Sequence, residues 1–285
     1  MNNTKVAVLF GNKKDHHYYI NNELGLIEAF SHLPKNFTTE FFCNTETMNA
    51  YERNGQIIWF KNTVKAMKWG VNVRYEPNVV ICVGSPNYGW DKILTGDYKK
   101  IFIYDSYEYP KKEFEWDAVI VPTFADKLIY PDAEVAAVYN SKIFKPQDSK
   151  KYFNKIYPQL IYNLDLFLDI QNDESTITRN PRRDVFYLSD FPTPMLKDLF
   201  NQSKMTLLVE QDNDIELALS SMACQIPVIS VVDNKASRLL GVFPSLATTP
   251  TINEVIDYVS SFKGHEFDVS EFTVENFAKK LKKLL

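Results

Sequence analysis

SKMTLLVEQDNDIELALSSMACQIPVIS (203–230) holds a strand, a helix and a second strand in one stretch. Its first apolar run, MTLLVE (205–210), has the length and content of a buried strand. Asp212, Asn213 and Asp214 follow, and each is a good helix N-cap, because a short side-chain oxygen accepts from the free N–H groups of a first turn. IELALSSMAC (215–224) then reads as one helix, with Ser220, Ser221 and Ala223 small enough to let it lie close on a sheet. Pro227 stops that helix, and PVISVV (227–232) is the next parallel strand. A helix N-terminus there carries partial positive charge and opens at the carboxyl edge of the sheet, which suits a phosphate group. The same pattern also describes an ordinary βαβ unit with a well-capped helix.

Upstream, short β-rich runs recur: KVAVLFGN (5–12), TTEFFCN (38–44), NVVICVGS (78–85), KIFIYDS (100–106), DAVIVPT (117–123) and EVAAVYNS (134–141). Strands that are apolar throughout, rather than alternating, are buried on both faces, as in a parallel sheet covered by helices. NNELGLIEAFSHL (21–33) supplies such a helix, with Leu24, Ile27, Phe30 and Leu33 on one face. The expected class is α/β, with doubly wound, Rossmann-like domains. FKPQDSKKYFNKIYPQ (144–159) interrupts the pattern with two prolines and several charges, so the boundary is placed there, giving domains over 1–147 and 148–285. The second contains RRDVFYLSDF (182–191), the opening stretch, and a terminal helix, TVENFAKKLKKLL (273–285), with Val274, Phe277, Leu281 and Leu284 apolar.

The bulk numbers narrow the choices. With 285 residues, 45% of them hydrophobic, the chain can build two cores. A net charge of −4 gives no global field to attract nucleic acid, so any such grip must be local. Cys43, Cys82 and Cys224 are odd in number and lack C-x-x-C spacing, which argues against a disulfide framework or a zinc site. The N-terminal MNNTKVAVLFGNKK does not read as a signal peptide, and no run approaches a membrane span, so a cytoplasmic protein with no membrane contact is expected. A monomer is the default expectation, on which the sequence bears little.

The segment SKMTLLVEQDNDIELALSSMACQIPVIS resembles the donor-binding segment of GT-B glycosyltransferases, where a helix ending E-A-M-A-C-G precedes a P-V-I strand. DAVIVPTFADKLIY…VAAVYNSKIFKP (117–145) is similar to the end of the GT-B N-terminal domain. YEPNVVICVGSPNYGWDK (75–92) with KKIFIYDSYEYP (99–110), and RRDVFYLSDF, resemble the DNA glycosyltransferases of T-even phages. The resemblance implies a GT-B fold of two Rossmann-like domains facing a cleft, with a C-terminal helix packing back toward the N-terminal domain. The N-terminal domain would take the acceptor and the C-terminal domain the nucleotide sugar. It implies a UDP-sugar donor, glucose or a pentose such as arabinose, and an acceptor of hydroxymethylated bases, hydroxymethylcytosine above all, in double-stranded phage DNA. No tightly bound metal is implied, with Mg or Mn at most stimulatory. The chain departs from that pattern: Ser220 replaces a ribose-binding glutamate, Leu217 replaces a diphosphate-binding arginine, and the second domain has only Gly241 and Gly264 where a glycine-rich donor loop is usual.

Inverting transfer needs a base for the acceptor hydroxyl and positive groups for the leaving diphosphate. Asp105, at the end of a predicted buried strand, is the candidate base; a turn-capping aspartate is the plainer alternative. For the donor the candidates are Arg182, Arg183, Ser189, Asp190, Asp212, Asn213, Asp214, Glu216 and Ser220, with Lys197 as a further cation. Acceptor or sugar contacts fall to Gly11, Asn12, Asp15, His16, Ser85, Asn87 and Tyr88, in two loops that each follow a predicted strand. Lys61, Lys65, Lys68 and Arg74, interleaved with Trp59, Phe60, Trp69 and Tyr75, are candidates for DNA phosphates. The alternative for KNTVKAMKWG (61–70) is an amphipathic helix with a solvated lysine face. Two other functions stay open: transfer to a surface glycan or lipid-linked sugar, and a non-catalytic nucleotide-binding protein of the same fold.

Overall fold

Five consecutive residues with no exposed side chain, Val79–Val83, form the middle of the first sheet. A computed structural model describes residues 3–10, 20–44, 64–67, 76–84, 94–104, 114–122, 124–146, 156–158, 197–198, 200–201, 205–208, 215–226, 228–230 and 267–285. Chain segments 1–20, 26–137 and 274–285 form one compact unit, and 21–25 with 138–273 form another.

The first unit is built on seven strands: β1 (Thr4–Phe10), β2 (Phe37–Asn44), β3 (Val64–Met67), β4 (Val79–Val83), β5 (Lys99–Ile103), β6 (Ala118–Val121) and β7 (Glu134–Val135). Every pairing is parallel, and the order is β3-β2-β1-β4-β5-β6-β7. Side chains alternate between faces along a strand. One face presents Ala7, Leu9, Val80, Cys82, Phe102 and Val121, in a single buried cluster. Val6, Val8, Ile81, Ile101 and Ile120 alternate with them and are equally buried. A sheet covered on both faces explains why these strands read as continuous apolar runs.

Helix α1 (Ile20–Ser31) covers part of the second face, and its Phe30 meets Phe41 edge-on at 5.6 Å. It buries Leu26, Ile27, Ala29 and Phe30, while Leu33, expected on the same face, lies half-buried beyond the last turn. On the other face Trp116 packs on Phe102 at 5.1 Å. A short helix, α2 (Phe124–Lys127), links β6 to β7.

The amino edge of the sheet is closed by side chains. Asn78 Oδ1 accepts from the Lys5 N–H at 2.8 Å, and Asp117 Oδ2 accepts from the Lys100 N–H at 2.7 Å. Each residue also bonds the same partner through its own N–H, donating to the Lys5 and Lys100 carbonyls. The polar residue just ahead of each apolar run therefore fixes the register of β4 on β1 and of β6 on β5.

The second unit has a smaller parallel sheet, β10-β9-β8, from β8 (Ile156–Pro158), β9 (Met205–Leu208) and β10 (Val228–Ser230). Helix α3 (Ile215–Ala223) runs between β9 and β10, as its sequence predicts. Asn201 ties this unit together from 1% exposure: its side-chain amide donates to the carbonyls of Lys145 and Lys197 and lies 3.4 Å from Cys224 Sγ. Phe144 and Phe200 pack beside it.

Helix α4 (Val274–Leu284) belongs to the first unit. It buries Val274, Phe277, Ala278 and Leu281, and Lys280 Nζ donates to the carbonyl of Val135 at 2.9 Å. His32, just past α1, lies 3.7 Å from Glu275 in its first turn. The turn entering α4 is tied by Asp268, whose carboxyl is held below its usual range by hydrogen bonds from the Ser270 hydroxyl and N–H.

Three expectations are corrected. Residues 64–67 of the presumed amphipathic helix are strand β3, because ladder bonds to β2, from Phe41↔Val64 to Asn44↔Met67, outrank a modest helical preference. The presumed break at 144–159 contains a strand, β8, which is an outer strand of this sheet among the described residues, where Pro158 gives up a donor at little cost. The run 134–141 pairs only over Glu134–Val135. Ala136 N–H makes the last bond to this neighbour, donating to the Val121 carbonyl at 2.9 Å, and further on Asn140 starts a turn in which its carbonyl accepts from Ile143 and Phe144.

Candidate functional site

From β1 the chain passes outward to β2 and β3, then returns to place β4 on the other side of β1. This reversal is the switch point at which open parallel sheets leave a crevice at their carboxyl edge. Phe10 and Val83, the last residues of β1 and β4, are register partners. Gly84 follows with φ of 74°, in the left-handed region that side chains with a Cβ enter at a cost. Its N–H donates to the Ile103 carbonyl at 2.9 Å, so the turn is tied to the end of β5. Beneath it Cys82 Sγ contacts the Gly84 carbonyl at 3.5 Å, and burial drives the Cys82 thiol far above its ordinary range, leaving it protonated and unreactive.

Tyr104 extends β5 by one residue. It is 7% exposed, and its N–H donates to the Ile120 carbonyl at 2.8 Å. The residue ahead of Asp105 is thereby fixed at the carboxyl edge. Asp105 itself lies outside the described residues, as do Gly11, Asn12, Asp15, His16, Ser85, Asn87 and Tyr88. Their points of departure are described: the chain leaves β1 at Phe10, β4 at Gly84 and β5 at Tyr104, on three adjoining strands. Gly84 is the residue that sequence reasoning passed over here. Its signal is a glycine directly after an all-apolar strand.

Of the DNA-phosphate candidates, Lys65 lies on β3, while Lys61, Lys68 and Arg74 lie outside the described residues. In the second unit Arg182, Arg183, Ser189, Asp190, Asp212, Asn213 and Asp214 lie outside them as well. Lys197 is half-buried, with its carbonyl bonded by Asn201. Glu216 is the second residue of α3.

Ser220 and Ser221 divide. Ser221 Oγ donates to the Ile226 carbonyl at 3.2 Å. The Ser220 hydroxyl is buried and has no hydrogen-bond partner among the described residues, a position that normally costs stability. The end of α3 is a second residue set not foreseen. Ile226 N–H reaches back to Ser221 and Gln225 N–H to Met222, closing the helix with Gln225 at φ of 61°. Gln225 stands at the glycine of the E-A-M-A-C-G pattern. Its side chain offsets the backbone strain by bonding Phe267 twice, donating to its carbonyl at 3.0 Å and accepting from its N–H at 2.9 Å.

Among the described residues no group of three or more His, Cys, Asp or Glu gathers as metal ligands would. No helix among them is long and apolar enough to cross a membrane.

No protein-family model matches the chain, and no curated protein matches it in sequence. Solved structures do match. A UDP-GlcNAc 2-epimerase from Methanocaldococcus jannaschii superposes with TM-score 0.55 at 10% identity, covering 99% of each chain. A Listeria monocytogenes protein assigned as a UDP-N-acetylglucosamine 2-epimerase gives 0.55 at 10% identity, over 97% of this chain and 94% of its own. The glycotransferase of kitacinnamycin gives 0.53 at 9% identity, over 99% of both. The fold is GT-B. At such identities the likeness extends to architecture and not to individual site residues.

Proposed function

We propose that this protein is a GT-B enzyme acting on a UDP-sugar, and that it transfers glucose or a pentose such as arabinose to hydroxymethylated bases of DNA. The observation that carries the reading is the departure of three candidate segments, 11–17, 85–90 and the one opening at Asp105, from neighbouring strands at the switch point. A UDP-sugar substrate is supported by the names of the structural neighbours, one a UDP-GlcNAc 2-epimerase and another assigned as one. The DNA acceptor is supported by the likeness of residues 75–110 and 182–191 to phage DNA glycosyltransferases.

In this reading the Asp105 carboxylate takes the proton of the acceptor hydroxymethyl group. The freed oxygen attacks the anomeric carbon, and the bond to the diphosphate breaks. Arg182, Arg183 and the N–H groups opening α3 hold the negative charge of the departing nucleotide. The first unit takes the acceptor and the second the nucleotide sugar.

A second reading is favoured by the same neighbours: epimerisation of a UDP-sugar with no acceptor. One screen separates the two. Protein is incubated with UDP-sugars, with and without hydroxymethylcytosine DNA, and nucleosides and nucleotide sugars are analysed by mass spectrometry and chromatography. The transferase reading expects a hexose or pentose mass on the nucleoside, reduced about 10²–10⁴-fold in Asp105→Asn. A stereoisomer of the donor, formed without DNA, would establish the epimerase instead. Donor binding with neither product would leave a glycan acceptor or a non-catalytic role.

A further inference from the structure

Helix α4 buries most of its apolar stripe in the first unit: Val274, Phe277, Ala278 and Leu281 are buried, and Leu284, in the last turn, is half-buried. What remains outside is cationic. Lys279, Lys282 and Lys283 are exposed, three and four residues apart, on one side of the helix. Glu275 is the only carboxylate on the helix, and it is turned toward His32. Lys279 Nζ hydrogen-bonds Asn276 Oδ1 at 3.0 Å, and Lys280 is committed to the Val135 carbonyl.

Like charges at this spacing repel and disfavour a helix. Cations in a last turn do complement the helix dipole, which accounts for Lys282 and Lys283. It does not account for Lys279, which lies a turn earlier, in a chain of net charge −4. The cationic row is thus a local excess whose self-repulsion an anionic partner would relieve.

We infer that the Lys279, Lys282 and Lys283 face is a backbone-phosphate contact for double-stranded DNA, separate from the sugar-transfer site. This rests on the DNA reading of the function. A duplex fits better than a lipid surface because α4 keeps its large apolar residues Val274, Phe277 and Leu281 buried, and only half-buried Leu284 and Leu285 at its end could meet a bilayer. Successive residues rise about 1.5 Å, so these lysines are about 4.5–6 Å apart along the axis, a spacing flexible side chains match to a phosphate run. Contacts of this kind position a duplex and carry no sequence preference.

The test compares wild type with Lys279→Gln/Lys282→Gln/Lys283→Gln, and with Lys99→Gln as an exposed control. Binding of a fluorescent duplex is followed between 50 and 200 mM salt, alongside sugar transfer to hydroxymethylcytosine DNA. The inference expects weaker duplex binding in the triple variant and a salt slope shallower by about 2–3, near 0.9 per lost phosphate contact. Lys99→Gln should leave the slope in place. If wild type transfers sugar to DNA and the triple variant keeps the full slope, the inference fails and the functional reading stands. If wild type neither binds nor modifies DNA, both fail. Capture by phosphatidylserine vesicles that depends on these lysines, with the DNA slope unmoved, would overturn the duplex in favour of a lipid surface.

Discussion

Helices α3 and α4 have nearly the same length and opposite designs. Every described side chain of α3 is buried, from Ile215 to the run Ala218–Ala223, two serines included. On α4 a buried stripe alternates with exposed lysines. A run of buried apolar and small residues such as Ala218–Ala223 is specified by fit, whereas an amphipathic helix is specified by its stripe alone. The first tolerates little change along that run. The second tolerates change on most of its outer surface.

That contrast is open to direct attack. The largest effects come from emptying one buried position in each helix. Leu219→Ala should cost about 2–5 kcal/mol and Phe277→Ala about 3–5 kcal/mol, read as a lower urea midpoint. Hydrogen exchange should loosen β8–β10 in the first variant and β1–β7 in the second. Equal loosening everywhere would erase the distinction between the helices. An intermediate effect is expected at the end of α3. Gln225→Ala removes both bonds to Phe267 while keeping the left-handed backbone, and should cost about 1–3 kcal/mol. Gln225→Gly should recover part of that loss; no recovery would mean the backbone there is unstrained. The smallest effect separates the two serines. Ser221→Ala should cost about 1 kcal/mol, and Ser220→Ala should be neutral or stabilising, since its hydroxyl has no partner to lose. A substantial loss at Ser220 would show that its oxygen is satisfied in solution.

Much of the first unit was legible because two-sided burial leaves a strong mark. VVICV is apolar throughout and KKIFI over its last three residues, and each run is short and bounded by turn signals, which favours a strand over a helix. α3 and α4 were equally plain from their N-cap run and heptad-like stripe. Edge strands were not. Among the described residues β3 pairs on one side only, and it carries Lys65, so its local pattern is indistinguishable from a lysine-faced helix. β8 contains a proline, which sequence reasoning counts against a strand. In both cases the deciding information is the neighbouring strand, which local pattern does not contain. Strand order was likewise beyond local reading, and it is strand order that places Phe10, Gly84 and Tyr104 together. Ser220 was readable in two ways, as a residue small enough to lie close on a sheet and as a donor contact, because one residue type suits both; its burial fits the first.

The first unit is also interrupted by the second along the chain. Residues 138–273 are synthesised between the last strand of the seven-stranded sheet and the helix that completes its unit. At ribosomal rates of about 5–20 residues per second, the seat for Val274, Phe277 and Leu281 waits on the order of ten seconds uncovered. During that interval the nascent sheet presents bare apolar surface to chaperones and to other nascent chains. A chain cut short after the second unit would keep that surface permanently, so premature termination is expected to produce a sticky species rather than a smaller working one.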